Sequence, residues 1–321
     1  MGPFNSGSEN MALNKRGVFF TLAAITIVLF LILSLPMFLT QERSQKTAVL
    51  SRIRAMNNFV KDVEKDLDRE LKISGFRALL GMQEYVASKG SFLNNSREAL
   101  KSALANGTIE TESLSIMQDS SLEDWTEKVR AMASNVNIDL NVTVNSLDIH
   151  HTSCWALEVD INVTFLVADR ADVASWKFSK VYSVELSILS LEDPLYTIST
   201  YNRVVHQINI TPYEGSYVSG TDTTNLMEHT TKGFYANSTG PSFLMRFEGN
   251  LSNSTFGIES LVYVPYLETQ GIPVKQKSVV DYIYFSNESP TFHRINNTPE
   301  WFYLDDEHLE KYQISDDMKL T

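Results

Sequence analysis

Residues 136–145 read VNIDLNVTVN, and the apolar Val136, Ile138, Leu140, Val142 and Val144 alternate with polar neighbours throughout. A period of two marks a strand with one buried and one wet face. Downstream, Trp155, Leu157, Val159, Ile161, Val163, Phe165 and Val167 repeat the pattern, and Tyr182, Val184, Leu186 and Ile188 form a third such stretch. A fourth strand is predicted over residues 196–210, bounded by Pro194 and Pro212, with Val204, His206, Ile208 and Ile210 in phase. Two more are predicted at residues 261–266 and 279–285. The loop-rich stretch 213–258, full of Gly, Ser, Thr and Asn, takes short helices at 223–231 and 241–247. The acids that open DDEHLEKY (305–312), with Lys311 near its end, suit a last short helix.

Upstream of these strands the period becomes helical. Val49, Ile53, Met56, Val60, Val63 and Leu67 step by four and three, and charges three apart decorate the other side: Lys61 with Glu64, Lys65 with Asp68, Asp66 with Arg69. Packing on the chain's own domain is the favoured use of this stripe, with assembly between chains as the alternative. A second helical stretch covers residues 76–88. A third covers 122–133 and opens at Ser121, with Asp124 in capping-box register.

Before the stripe lies an uncharged apolar run, residues 18–39, VFFTLAAITIVLFLILSLPMFL. As a helix it would be roughly 33 Å long, against a hydrocarbon core of roughly 30 Å. It is longer than the apolar region of a signal peptide and lacks a small-residue cleavage pattern, so it is expected to stay as a membrane span. Flanking charge does not orient it: Lys15 and Arg16 precede it, but Arg43, Lys46, Arg52 and Arg54 follow. Glycosylation sequons do. Asn94, Asn106, Asn141, Asn162, Asn209, Asn237, Asn250, Asn253, Asn287 and Asn296 each open an N-x-[ST] triplet, and none precedes the run. Asn141 and Asn162 fall on the polar phase of their strands. The C-terminal side is therefore expected outside.

A net charge of −12 and a pI near 5.0 leave no basic surface for nucleic acid. Cys154 is the lone cysteine, so no intrachain disulfide forms, which in an extracytoplasmic chain points to a prokaryotic source. His150, His151 and Cys154 come nearest to a metal-ligand set, but at most two share a strand face, and a polar hairpin turn is the favoured reading. His206 reads as a core or sheet-edge histidine, and Asp305, Asp306, Glu307 and His308 as a solvated helix start. Tyr263, Tyr266, Tyr282, Tyr284, Phe285, Trp301, Phe302 and Tyr303 read mainly as packing for a β core, with a ligand-lining surface as the alternative. No nucleophile elbow, zinc-protease, redox-cysteine, P-loop or dinucleotide motif occurs. No cofactor, no metal and no catalytic residue is expected.

Lys15-Arg16-Gly17, the apolar run, the continuing amphipathic helix and the antiparallel sheet together resemble type IV pilins and archaeal pilin-like surface proteins. That resemblance covers about the first 75 residues and implies cleavage between Gly17 and Val18. It also implies a helix that first anchors the subunit and then packs a filament. Pro36 echoes a proline of the family's long helix, whereas Leu22 stands where many pilins have Glu. The expected architecture is α+β: a cytoplasmic tail (1–17), a transmembrane helix (18–39), a membrane-proximal helical region (40–135) and an antiparallel β-rich extracytoplasmic domain (136–321). The expected partners are the lipid bilayer and further copies of the chain, met through the N-terminal helix. The expected role is non-enzymatic, in envelope structure, adhesion or pilus-like assembly. The alternative is an extracytoplasmic ligand-binding or sensor module acting through a membrane partner.

Overall fold

A computed structural model describes residues 15–320, with the side chains of residues 15–18 and 35–45 outside the description. Its first element is one helix, α1 (Lys15–Lys89), 75 residues long and therefore roughly 110 Å from end to end. The two helical stretches expected before and after Gly75 are thus a single helix. Glycine sits inside it because the helix crosses a strand there: a Cβ at Gly75 would lie 2.7 Å from Leu186 Cδ1.

The expected stripe turns inward only partway along. Val49 is exposed, but Met56, Val63, Leu67, Leu71, Leu79, Met82 and Val86 are buried. Helix and sheet therefore share one apolar core, which runs from Met56 to Ile258. Of the expected charge pairs, Asp66 holds Arg69 at 2.6 Å. Asp68 instead meets Lys72 at 2.9 Å, and Glu64 reaches across to Lys180 and Tyr182.

After α1 come α2 (Ser96–Asn106), a tight hairpin of β1 (Thr108–Ile109) and β2 (Glu112–Ser113), and α3 (Leu122–Asn135). The α3 capping box is present: Ser121 Oγ accepts from Asp124 N at 3.1 Å, and the Asp124 carboxylate accepts from Ser121 N at 3.0 Å. Ser121→Ala is expected to cost about 1 kcal/mol, measured as a lower midpoint in urea unfolding at unchanged slope.

The sheet is a meander of β3 (Ile138–Ser153), β4 (Ala156–Asp169) and β5 (Ser175–Ser187), all antiparallel. One face packs on α1. The other carries a polar ladder, in which Asn145 Nδ2 donates to Asn162 Oδ1 (3.2 Å) and to Thr164 Oγ1 (2.8 Å). A register shift between Val144 and Ser146 makes Asn145 an extra residue and reverses the phase. Beyond the shift the odd positions turn inward, and Ile149 is buried, while Val144, at its edge, is exposed. β3 also runs on into the expected turn: His150 and His151 pair with Glu158 and Leu157 inside the ladder, and the chain turns only at residues 154–155.

The rest of the chain departs most from expectation. Residues 196–210 are not a strand. Asp193 Oδ1 accepts from Leu195 N at 2.9 Å and opens α4 (Pro194–Ser199), in which Pro194 takes the first turn rather than bounding a strand. Residues 206–208 then run extended against 190–193, with His206 O accepting from Asp193 N at 2.8 Å. The helices expected near 223–231 and 241–247 are α5 (Thr224–Lys232) and α6 (Phe243–Phe247). Between and after them lie β6 (Tyr235–Ser242) and β7 (Gly257–Ser260), paired antiparallel. The strands expected at 261–266 and 279–285 are α7 (Val264–Thr269) and α8 (Asp281–Phe285), preceded by a single bridge of Leu261 to Val280. A small sheet of β8 (Phe292–Ile295), β9 (Tyr303–Asp305) and β10 (Lys319–Leu320), with α9 (Asp306–Leu309), completes the chain. These elements enclose a second core, from Tyr196 to Met318.

The fold is α+β with antiparallel sheets. Among the described residues no helix is long and apolar enough to cross a membrane. Residues 19–34 are the part of the expected span whose side chains are described; Val18 and residues 35–39 lie outside.

Candidate functional site

The two apolar cores meet at a buried cluster of charges. Arg246 on α6, Asp193 at the N-cap of α4 and Asp281 at the start of α8 are all fully buried. Arg246 Nη1 lies 2.5 Å from Asp193 Oδ2 and 2.9 Å from Asp281 Oδ2, and Nη2 donates to Asp281 Oδ1 (3.2 Å) and to the carbonyl of Ile258. Ser260 donates to Asp281 Oδ2 through its backbone N (3.0 Å) and its hydroxyl (2.8 Å). Burial pushes the Asp281 carboxyl up, opposed by the guanidinium beside it. The Arg246 guanidinium is held charged: desolvation is outweighed by the two carboxylates.

A chain of hydrogen bonds leads outward from this cluster. The Tyr235 hydroxyl donates to Asp193 Oδ2 at 2.7 Å, and His206 Nδ1 lies 2.8 Å from that same hydroxyl. Tyr235 has one proton and gives it to a carboxylate, so it accepts from His206, and Nδ1 carries the imidazole proton. Nε2 is then left with a lone pair. Burial pushes the His206 pKa down to about 4, so the ring is neutral at pH 7. The His206 ring lies flat on Tyr196, centroids 4.1 Å apart at 5°.

His206 forms part of the wall of a cavity of about 280 Å³, with Tyr196, Lys232, Gly233, Tyr263 and Tyr266 among the other lining residues. Gly233 ends α5 at φ +65°, and a Cβ there would stand 2.4 Å from His206 Nε2. No known family, curated protein or solved structure matches this chain.

A second buried cluster lies nearby. His308 Nδ1 meets Asp305 Oδ1 at 2.6 Å, and its Nε2 is 3.3 Å from Glu259 Oε2. Lys311 and Tyr312 reach Glu259 Oε1 at 2.7 and 2.8 Å. Burial opposes the charged imidazole, but the two carboxylates overcome it and hold His308 at about 9. The solvated helix start expected at residues 305–308 is corrected here. Asp306 and Glu307 are exposed, but Asp305 and His308 point inward.

The expected hairpin of His150, His151 and Cys154 is also redistributed. His150 approaches Asp160 (3.7 Å) near the polar face, while His151 turns inside and stacks on Phe256. Cys154 is half-buried near the turn between β3 and β4. Among the described residues no group of three or more His, Cys, Asp or Glu is placed to hold a metal ion.

Nine of the ten sequon asparagines are exposed, and Asn162 is half-buried on the polar face of the sheet. Gly17 and Val18 lie in α1, their side chains outside the described residues. Of the expected aromatic packing, Tyr284 and Phe302 are buried in the second core, while Tyr263 and Tyr266 stay at the cavity wall, 37% and 44% exposed. The Arg246 cluster was missed by sequence reasoning. Its one signal is a charge set among Phe243, Leu244, Met245 and Phe247, where a buried partner is required.

Proposed function

We propose that this chain is a non-enzymatic, membrane-anchored surface protein of pilin-like type. Its glycosylated head faces outward and serves envelope structure, adhesion or pilus-like assembly. The observation that carries this reading is the state of α1 before the head. Phe19, Phe20, Leu22, Ile25, Ile27, Val28, Leu29, Phe30, Leu31, Ile32 and Leu33 are each more than half exposed, with no polar face between them. A helix apolar all round needs lipid or other apolar helices about it. The surface position of the sequons supports the outward orientation.

Fractionation of cells carrying the full chain tests this. The protein should stay with membranes through an alkaline wash, protease added to intact cells should release the head, and sequon peptides should carry added hexose mass. A mature mass starting at Val18 supports the pilin-like type, and one retaining residues 11–17 leaves a plain anchor. Recovery in the soluble fraction with unmodified sequons overturns the proposal.

A second reading, a ligand-binding module acting through a membrane partner, is favoured by one observation. The cavity at His206 presents a hydrogen-bonding group held in place by four buried side chains behind it.

A further inference from the structure

We propose that the cavity bounded by His206, Tyr196, Lys232, Tyr263 and Tyr266 binds a single neutral sugar ring. This rests on the ligand-binding reading of the head and names its ligand class.

The hydrogen-bond inventory selects the class. His206 Nε2 is an acceptor, because Tyr235 gives its only proton to Asp193 and takes the one on Nδ1. Arg246 Nη1 donates to that same Asp193 Oδ2, so the carboxylate oxygen is the acceptor at the end of the chain and the order of donors is fixed. An imidazole lone pair disfavours phosphate or carboxylate in its place and favours an O–H. Lys232 lines the same cavity, and its ammonium can only donate. A ligand that meets both must offer a proton at one edge and an oxygen acceptor at another. Neighbouring hydroxyls on one ring do so.

The apolar part of the wall fits the same ligand. Tyr263 and Tyr266 stand partly exposed at the cavity, and Tyr263 is braced edge-on by Trp301, centroids 5.6 Å apart at 65°. Rigid phenol rings present a flat, electron-rich surface to a C–H face at low entropic cost. Thr230 and Thr231 donate their hydroxyl protons back to Leu226 and Glu228 carbonyls, so neither is a free donor toward the cavity. The volume, about 280 Å³, is near the lower end for ligand sites and suits one ring rather than a chain. Gly233 completes the site by absence: any side chain there would run into His206 Nε2.

The test uses the full chain in a zwitterionic detergent free of sugar. Saturation-transfer NMR is recorded with the methyl glycosides of glucose, galactose and mannose, with N-acetylglucosamine, and with benzoate as a charged aromatic control. At least one sugar should show transfer, with a dissociation constant of the order of 1 mM. Tyr266→Ala should weaken it about tenfold with an unchanged circular dichroism spectrum. His206→Phe, which keeps the stack on Tyr196 but removes the acceptor, should abolish it. Binding of benzoate with no sugar overturns the sugar assignment and leaves a ligand-binding head. No binding of any probe overturns both. Sugar binding that survives both variants overturns this cavity as the site.

Discussion

Arg246→Met is expected to destabilise the head by about 3–5 kcal/mol, the largest effect of any single substitution considered. Asp193 and Asp281 have no exposed surface, and Arg246 is the cation that both carboxylates contact. With it gone, two carboxyl groups are left without a counter-charge, and folding must protonate them or let water in. A loss of this size is a large share of the roughly 5–15 kcal/mol that holds a typical domain. Arg246→Lys should fall between, because an ammonium cannot grip Asp281 with two nitrogens while also reaching Asp193 and Ile258. Adding Asp193→Asn and Asp281→Asn to Arg246→Met should recover much of the loss, since the cost lies in the stranded charges. Thermal and denaturant unfolding of the four proteins measures this. A midpoint for Arg246→Met within a degree or two of the parent would sink the account.

Acidification gives the second large effect. Burial holds His151 and His206 at about 4 and His229 at about 3. In the unfolded chain each returns to about 6.5. Their folded values are depressed, so below about pH 6.5 the unfolded state binds more protons and stability falls, down to the folded values. The fully buried His229 is worth roughly 4–5 kcal/mol across that window, and the part-buried His151 and His206 at most about 3 kcal/mol each. His308 acts on the opposite limb. Its folded value of about 9 lies above the unfolded one, so its contribution is complete below about pH 6.5 and is lost as pH rises through 9. The thermal midpoint should therefore peak near pH 6.5–7 and fall on both sides, more steeply toward acid. His229→Phe should flatten the acid limb, and His308→Gln the alkaline one. A midpoint constant from pH 8 to pH 4 is the contrary result.

The sequence was most legible where a local period set the structure. The alternation of β3 and β4 and the Ser121 capping box both carry their own signal over a few residues. It was least legible where distant partners decide. Residues 279–285, VVDYIYF, have strand composition, yet they form a bridge and a five-residue helix. Asp281 must turn inward there to meet a guanidinium 35 residues away, and Asp193 meets it from 53 residues away. No window of neighbouring residues contains that pairing. Pro194 misled for a related reason. Proline opens a helix as readily as it closes a strand, and the buried Asp193 beside it decides which. The candidate site was hidden in the same way, since the direction of His206 depends on Tyr235 and Asp193 rather than on its own flanks.

One property of α1 sets the geometry of the whole molecule. The residues exposed along 19–33 and those buried in the head from Met56 onward belong to a single helix with no loop between them. Such a helix is an indexed shaft: each residue advances it by about 1.5 Å and turns it by about 100°. The azimuth at which the head faces its neighbours is then a matter of residue count. One residue added between 46 and 52 would leave both ends folded and swing the head by more than a quarter turn.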